Sequence, residues 1–317
     1  MSSMAIPHST TAAHKSLARR VSALLYRRST LALLLLLTPP LLWFGVVYLG
    51  SLLTLIAQSF YTFDDFTMQV TPEWTLANYR ALLDAANLDI VLRTVSMALA
   101  VSAMSALLAF PLAYYMARYA KGSEKAFFYV AVMLPMWASY LVKVYAWTVL
   151  LAKGGISWWL IEKLGLTPAY EWMLTLPGIG GSTLSTSNFG RFWVFVYTWL
   201  PFMILPIQAA LERIPDNLLA ASSDLGARPW QTFVHIVLPM AVPGVVAGSI
   251  FTFSLTLGDY IIPQLIGPSG FYIGNMVYSM QGSIGNMPMA AAFTVVPIVL
   301  IGVYLTLAKR TGAFDAL

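Results

Sequence analysis

The sequence predicts an all-α integral membrane protein of six transmembrane helices, and three observations predict it. Hydrophobic residues make up 59% of the chain and charged residues only 10%, with a mean hydropathy of +0.74, whereas an ordinary soluble domain carries roughly 25% charged residues. The apolar residues are gathered into blocks that match the roughly 20 residues needed to cross a bilayer. Lysine and arginine are unevenly shared among the polar segments between those blocks, as the positive-inside rule requires.

Residues 1–30 form a polar tail that is basic in its second half, with Lys15, Arg19, Arg20, Arg27 and Arg28. The apolar run 31–57 contains Thr38, Pro39 and Pro40 and reads as span one, kinked near Pro39. A basic stretch before a Leu-rich run also describes a signal peptide. This run, however, exceeds the roughly 7 to 15 residues of a signal core, and no small-x-small cleavage site ends it. Residues 61–89 are polar and acidic, and WTLANYRALLD within them is compatible with a short helix. Span two covers 90–117, a Lys-Gly-Ser turn reverses the chain, and span three covers 126–151 with Pro135 inside it. In the long segment 152–190, ISWWLIEKL is compatible with a helix at the headgroup level, where Trp is enriched. Gly178 to Asn188 is rich in Gly, Ser and Thr and reads as an exposed loop. Spans four, five and six cover 192–211, 240–262 and 287–307, so that a membrane domain of residues 31–308 is followed by a short tail, 309–317.

Six spans put both termini on one side. With that side taken as inside, twelve of the 18 Lys and Arg fall there: Lys15, Arg19, Arg20, Arg27, Arg28, Arg118, Lys121, Lys125, Arg213, Arg228, Lys309 and Arg310. The bias assigns both termini and the segment 212–239 to the cytoplasm. It also accounts for the net charge of +5 without nucleic acid as a partner. The absence of cysteine excludes disulfides, thiol nucleophiles and thiolate metal sites, and His8, His14 and His235 supply no cluster, so no catalytic or metal-ligating residue is assigned. No internal repeat of the kind found in many secondary transporters is evident.

The segment Asp216 to Pro239, DNLLAASSDLGARPWQTFVHIVLP, is polar and helical in pattern. Pro215 stops span four, Asp216 or Asn217 is placed to cap a new helix, and Gly226 ends it where a left-handed residue is commonly needed. Pro229 suits the first turn of a second helix, which Leu238 and Pro239 close. Two short helices joined by a rigid elbow exceed what a reconnecting turn needs, which suggests a docking partner.

Gly226, nine intervening residues, then Ile236-Val237-Leu238-Pro239 resembles the G-x9-I-x-L-P half of the EAA loop, the signature of permease subunits of bacterial ABC importers. Upstream, Asp224-Leu225-Gly226 also fits, but the Glu-Ala-Ala triplet falls on Ala220, Ala221 and Ser222, so the glutamate is missing. The stretches LANYRALLD, FPLAYYMAR, LPMWASYLVKVYAW, LPFMILPIQAALERIP and LGDYIIPQLIG occur in the same order as in the spermidine/putrescine-type permeases, the members it resembles most. The segment 170–191 is longer than is typical of them. The resemblance implies the six-helix type I importer permease fold in a bacterial inner membrane. It also implies two copies of a cytoplasmic ATP-binding subunit, which hold ATP and Mg, a second permease forming a heterodimer, and a periplasmic or extracellular solute-binding protein. The cargo it implies is a polyamine or a related small organic molecule. Ala220, Ala221, Ser222, Asp224, Gly226, Ala227, Pro229, His235, Ile236, Leu238 and Pro239 would form the ATPase-coupling loop. The sequence agrees: no G-x-x-x-x-G-K-[ST] loop is present to cradle ATP phosphates, and this chain is assigned no cofactor.

Lys143 and Asp259 fall inside expected spans, where a charge costs about 2.5 to 3.5 kcal/mol on insertion scales. They either pair with each other or snorkel, or else line a substrate path in which Trp137, Tyr140, Tyr145, Trp147 and Tyr260 offer aromatic faces to a cation. A single-chain secondary transporter using Lys143 and Asp259 for ion coupling is the alternative. An intramembrane enzyme would need paired carboxylates that the spans lack.

Overall fold

The computed structural model describes Tyr26 and residues 29–309. The basic tail residues Lys15, Arg19, Arg20, Arg27 and Arg28, the histidines His8 and His14, and Arg310 lie outside the described residues. The chain divides into two compact units after Ala57. In the first, α1 (Ser29–Leu42) contains Pro39 and Pro40, which have no N–H for the carbonyls four residues back. Thr38 Oγ1 donates to the Leu34 carbonyl at 2.5 Å. The helix then shifts into a π register over Trp43–Leu49 before α2 (Gly50–Gln58), which is the disturbance expected from the prolines.

The second unit opens with a feature the sequence did not announce, an antiparallel ribbon of β1 (Thr62–Asp64) and β2 (Gln69–Thr71) with Phe63 opposite Val70. Its turn is held by Asp64, whose Oδ1 accepts the Phe66 N–H at 2.9 Å. The short helix α3 (Ala77–Leu82) forms within WTLANYRALLD, and Asn78 Nδ2 ties it to the Ser59 and Tyr61 carbonyls, each at 2.9 Å.

Span two is α4 (Ala85–Arg118), which starts five residues before the apolar run because Asp89 and Arg93 pair one turn apart on its surface. Span three is not the single helix expected. It consists of α5 (Gly122–Trp137) and α6 (Tyr140–Leu151), separated by extended backbone at Ala138 and Ser139. Pro135 weakens the ladder before the break, and Lys143 Nζ reaches back to the Pro135 carbonyl at 2.8 Å. Beyond it, α7 (Ile156–Lys163) and α8 (Thr167–Thr175) turn at Gly165 (φ 68°). Of the paired tryptophans, Trp158 packs edge-on against Tyr170 and Trp159 is exposed. Residues 178–188, expected to be an exposed loop, are exposed at Gly178, Gly181, Ser182 and Thr186 but turn inward at their C-terminal end. Leu184, Ser185 and Ser187 are buried, and Ser187 Oγ accepts the Gly190 N–H at 3.0 Å to cap the next helix.

Span four is α9 (Asn188–Glu212), followed by α10 (Asp216–Asp224) and α11 (Pro229–Thr232). Leu238 and Pro239 do not close the second of these. The chain passes through a π turn, Phe233–Val237, straight into span five, α12 (Leu238–Gly258). In the π register the Leu238 N–H bonds the Phe233 carbonyl, and this shift accommodates a proline at the next position. Span five also stops four residues early, at Gly258, and the chain turns at Asp259 into α13 (Ile261–Leu265) and α14 (Ile273–Ser279). A further π turn, Met280–Ile284, leads to span six, α15 (Met287–Lys309).

The core is α9 packed between α4 and α12. The α4 surface is made of small buried residues, Ala98, Ser102, Ser105, Ala109 and Ala113, which lets the helices approach closely. Gly244 and Gly248 do the same for α12. A Cβ at Gly244 would lie 2.6 Å from the Ala210 Cβ, and one at Gly248 would lie 2.7 Å from Met203 Sδ. Gly248→Leu is therefore expected to destabilise the bundle by about 1–3 kcal/mol through overpacking. An unchanged midpoint for thermal loss of monodisperse protein would show that the contact between α9 and α12 is looser than this.

Candidate functional site

The elbow between spans four and five is fixed by its own backbone. Gly226 has φ 80°, in the left-handed region, and its N–H bonds the Ser223 carbonyl at 2.9 Å while the Ala227 N–H bonds the Ser222 carbonyl at 3.1 Å. These two bonds form a Schellman end to α10. Across the turn the hydroxyls of Ser222 and Thr232 lie 2.8 Å apart and link the two arms. The second arm starts with Pro229 at its first turn, and the Arg228 N–H donates to Gln231 Oε1 at 2.7 Å.

Side chains outside the elbow hold it to the bundle. Arg118, at the end of α4, donates to Asp216 (2.9 Å) and to the Leu211 and Ile214 carbonyls (2.9 and 2.8 Å). The cap expected from Asp216 or Asn217 is thus not made: Pro215 takes the cap position without a side-chain bond, and Asp216 faces Arg118 instead. Lys125 pairs with Glu212 at 2.7 Å. Phe233 packs edge-on against Phe110 and Tyr114, with ring centroids 5.7 and 5.8 Å away.

Of the residues expected to form the coupling loop, Ser222 is buried in this brace, and Ala227 and Ile236 are half-buried. Ala220, Ala221, Asp224, Gly226, Pro229, His235, Leu238 and Pro239 are exposed. A pocket of about 370 Å³ is lined by Ser222, Leu225, Gly226, Ala227, Gln231, His235 and Ile236. His235 Nδ1 lies 2.9 Å from the Gln231 carbonyl. Beside the pocket, Leu225 is 88% exposed and Trp230 is 59% exposed. Large apolar groups held outward on a braced polar loop are what a docking surface requires.

The intramembrane residues separate into two groups. Tyr140, Lys143, Asp259 and Tyr260 come together, whereas Trp137 and Tyr145 are exposed and Trp147 packs edge-on against Tyr197. Lys143 and Asp259 are not partners. Asp259 accepts a hydrogen bond from the Tyr140 phenol, and its Oδ1 accepts the Ile261 and Ile262 N–H groups at 2.8 and 3.1 Å. The carboxylate is buried and caps α13. Tyr260 stacks on Tyr278, and Tyr140 stacks on Trp199.

Sequence reasoning missed Arg191, which is not among the twelve cations assigned to the inside. It is 1% exposed, at the start of α9 far from the elbow. Its Nε donates to the Ile266 carbonyl at 2.7 Å, one terminal nitrogen donates to Asn188 Oδ1 at 3.1 Å, and the other donates to the Pro268 carbonyl at 2.8 Å. The guanidinium lies over the Tyr272 ring, 4.6 Å from its centroid. It holds the segment that follows α13 against span four. An arginine at a span edge with no acidic residue nearby in sequence was the signal that could have found it.

Comparison with known proteins locates both regions within one family match. The family described as "Binding-protein-dependent transport system inner membrane component" matches residues 109–310, which include the elbow, Lys143, Arg191 and Asp259. The chain is 68% identical over 298 residues to the inner membrane ABC transporter permease protein YdcU of Escherichia coli (strain K12), covering 94% of this chain and 95% of that one. It is 28% identical over 267 residues to the spermidine/putrescine transport system permease protein PotB of the same organism, covering 84% and 92%. A solved bacterial ABC transporter involved in the import of the acidic polysaccharide alginate shares the fold, with a TM-score of 0.64 at 19% identity over 92% of this chain and 99% of that one. The same holds for an alginate transporter in complex with its pentasaccharide-bound periplasmic protein, with a TM-score of 0.64 at 18% identity over 94% and 98%.

Proposed function

The chain belongs to the family of binding-protein-dependent transport system inner membrane components, and from that premise we propose that it is one half of a heterodimeric importer pathway for a polyamine or a related small organic solute. It is a non-catalytic permease subunit of an ABC importer. In this reading two copies of a cytoplasmic ATPase bind ATP and Mg, one of them seats the elbow, a second permease completes the pathway, and a periplasmic binding protein delivers the cargo. The excess of Lys and Arg on the elbow side supports an orientation with both termini in the cytoplasm. The single observation that carries the coupling role is the elbow itself, braced inward by Arg118, Ser222 and Phe233 and presenting Leu225 and Trp230 outward.

The polyamine class is supported by the likeness to PotB, with Tyr140 and Tyr260 the aromatic residues that lie with Asp259, while Trp137, Tyr145 and Trp147 are not gathered with them. The single-chain secondary transporter is not favoured: the family assignment points to an ATP-driven complex, and Lys143 and Asp259 are not assembled as a pair.

Affinity purification of the tagged chain from native membranes is expected to bring down an ATP-binding subunit and a second permease. Leu225→Asp with Trp230→Asp should lose the ATPase and keep the permease. Ion-driven transport by the purified chain alone would overturn the reading.

A further inference from the structure

We propose that Lys143 is a specificity-determining residue, a fixed positive charge on the pathway wall at the break in span three that favours solute carboxylates and opposes cations. The proposal rests on the reading above that the spans line a transport path. Three observations carry it. The ammonium of Lys143 meets neutral groups, the Pro135 carbonyl at 2.8 Å and the Tyr140 ring with its centroid 6.0 Å away, and no ion pair joins it to a carboxylate among the described residues. Asp259, the other charge within the expected spans, is buried and committed to the Tyr140 phenol and two backbone N–H groups. Lys143 is half-buried, and one helical turn to either side of it Ser139 and Ala146 are exposed.

A charge facing hydrocarbon is costly, and ionisable residues in spans face a bundle interior or a water-filled cavity. In this proposal the open side of Lys143 faces the passage between the two permeases rather than lipid. A carbonyl stabilises an ammonium without cancelling its charge, so its field extends into that passage. An acidic or zwitterionic solute finds a counter-charge at this level. A polyamine passes it only where carboxylates of the second permease offset Lys143.

The chain has no cysteine, so a single Ala146→Cys thiol reports the local field. In the assembled transporter in proteoliposomes, this thiol is reacted with an anionic sulfonatoethyl and a cationic trimethylammonioethyl methanethiosulfonate, and labelling is read on this chain. With Lys143 present, the anionic reagent should be favoured relative to its rate on a free thiol. Lys143→Gln should lower the anionic-to-cationic rate ratio on the order of tenfold, as expected for one charge about a helical turn away in a partly hydrated wall. Lys143→Arg should preserve it. An equal ratio with and without the Lys143→Gln substitution overturns the charge screen and leaves the pathway placement standing. No reaction with either reagent in any nucleotide state shows that this face is not in the pathway and overturns both. Reaction with a lipid-soluble maleimide alone places the face in the bilayer and overturns them equally.

Discussion

Gly226→Val is expected to cut binding-protein-stimulated ATP hydrolysis in proteoliposomes at least tenfold while the six spans remain assembled. At φ 80° a residue with a Cβ is strained by roughly 1–2 kcal/mol, and β-branching adds to this. Nothing lies within 4 Å of where that Cβ would be, so the penalty is one of backbone and not of crowding. The chain has a ready way to relieve it. If φ moves to negative values, the Gly226 and Ala227 N–H groups leave the Ser223 and Ser222 carbonyls and the Ser222–Thr232 link opens. The arms are anchored separately, one through Arg118 and the other through Phe233, so the bundle survives while the angle between them is lost. Gly226→Asn is the informative companion, because asparagine tolerates the left-handed region and should retain most of the coupling. Full stimulated activity in the valine protein would remove the elbow angle from the mechanism.

The elbow could be read from sequence because glycine and proline act locally: Gly226 sets a dihedral and Pro229 starts a helix whatever surrounds them. Pro239 misled for the complementary reason. In a membrane helix the ladder can shift into a π register and keep its bonds, so a proline preceded by such a turn is no stop. The break in span three follows Pro135 and is bridged by Lys143 reaching eight residues back to the Pro135 carbonyl, a contact that no hydropathy window contains. Residues 178–188 have the composition of an exposed loop. Yet the same small polar side chains let the chain fold tightly, with Thr183 and Thr186 capping each other and Ser187 capping α9. Charge reading identified Asp259 and Lys143 as unusual and left pairing open beside snorkelling and a place on the substrate path, whereas each is met by neutral groups.

That difference is sharpest at Arg191, where the largest loss of stability is expected. Arg191→Met keeps an unbranched apolar stem and removes every donor. The Ile266 and Pro268 carbonyls and Asn188 Oδ1 are then left in a site that admits almost no water. At about 1–3 kcal/mol for each buried group left unpaired, the sum is on the order of 3–5 kcal/mol once partial relaxation is allowed. Removing a buried arginine whose partners are neutral also relieves its desolvation, and this sets the upper bound. A lysine at this position would restore the charge but not the fork of donors that spans two carbonyls and an amide, so Arg191→Lys is expected to recover less than half of the loss. Gly267→Ala approaches the same contact from the other side. Its Cβ would lie within 2.4 Å of the guanidinium, at a φ of 102° that already disfavours a side chain. Because both substitutions unhook the segment after α13 from span four, their effects should not add: Arg191→Met with Gly267→Ala should be little worse than Arg191→Met alone. The measurement is the thermal midpoint of each variant in nanodiscs, with ligand-free ATPase activity as a second readout. A midpoint for Arg191→Met within a degree of the parent would mean that the carbonyls find other donors and that this end of span four is not held by the guanidinium.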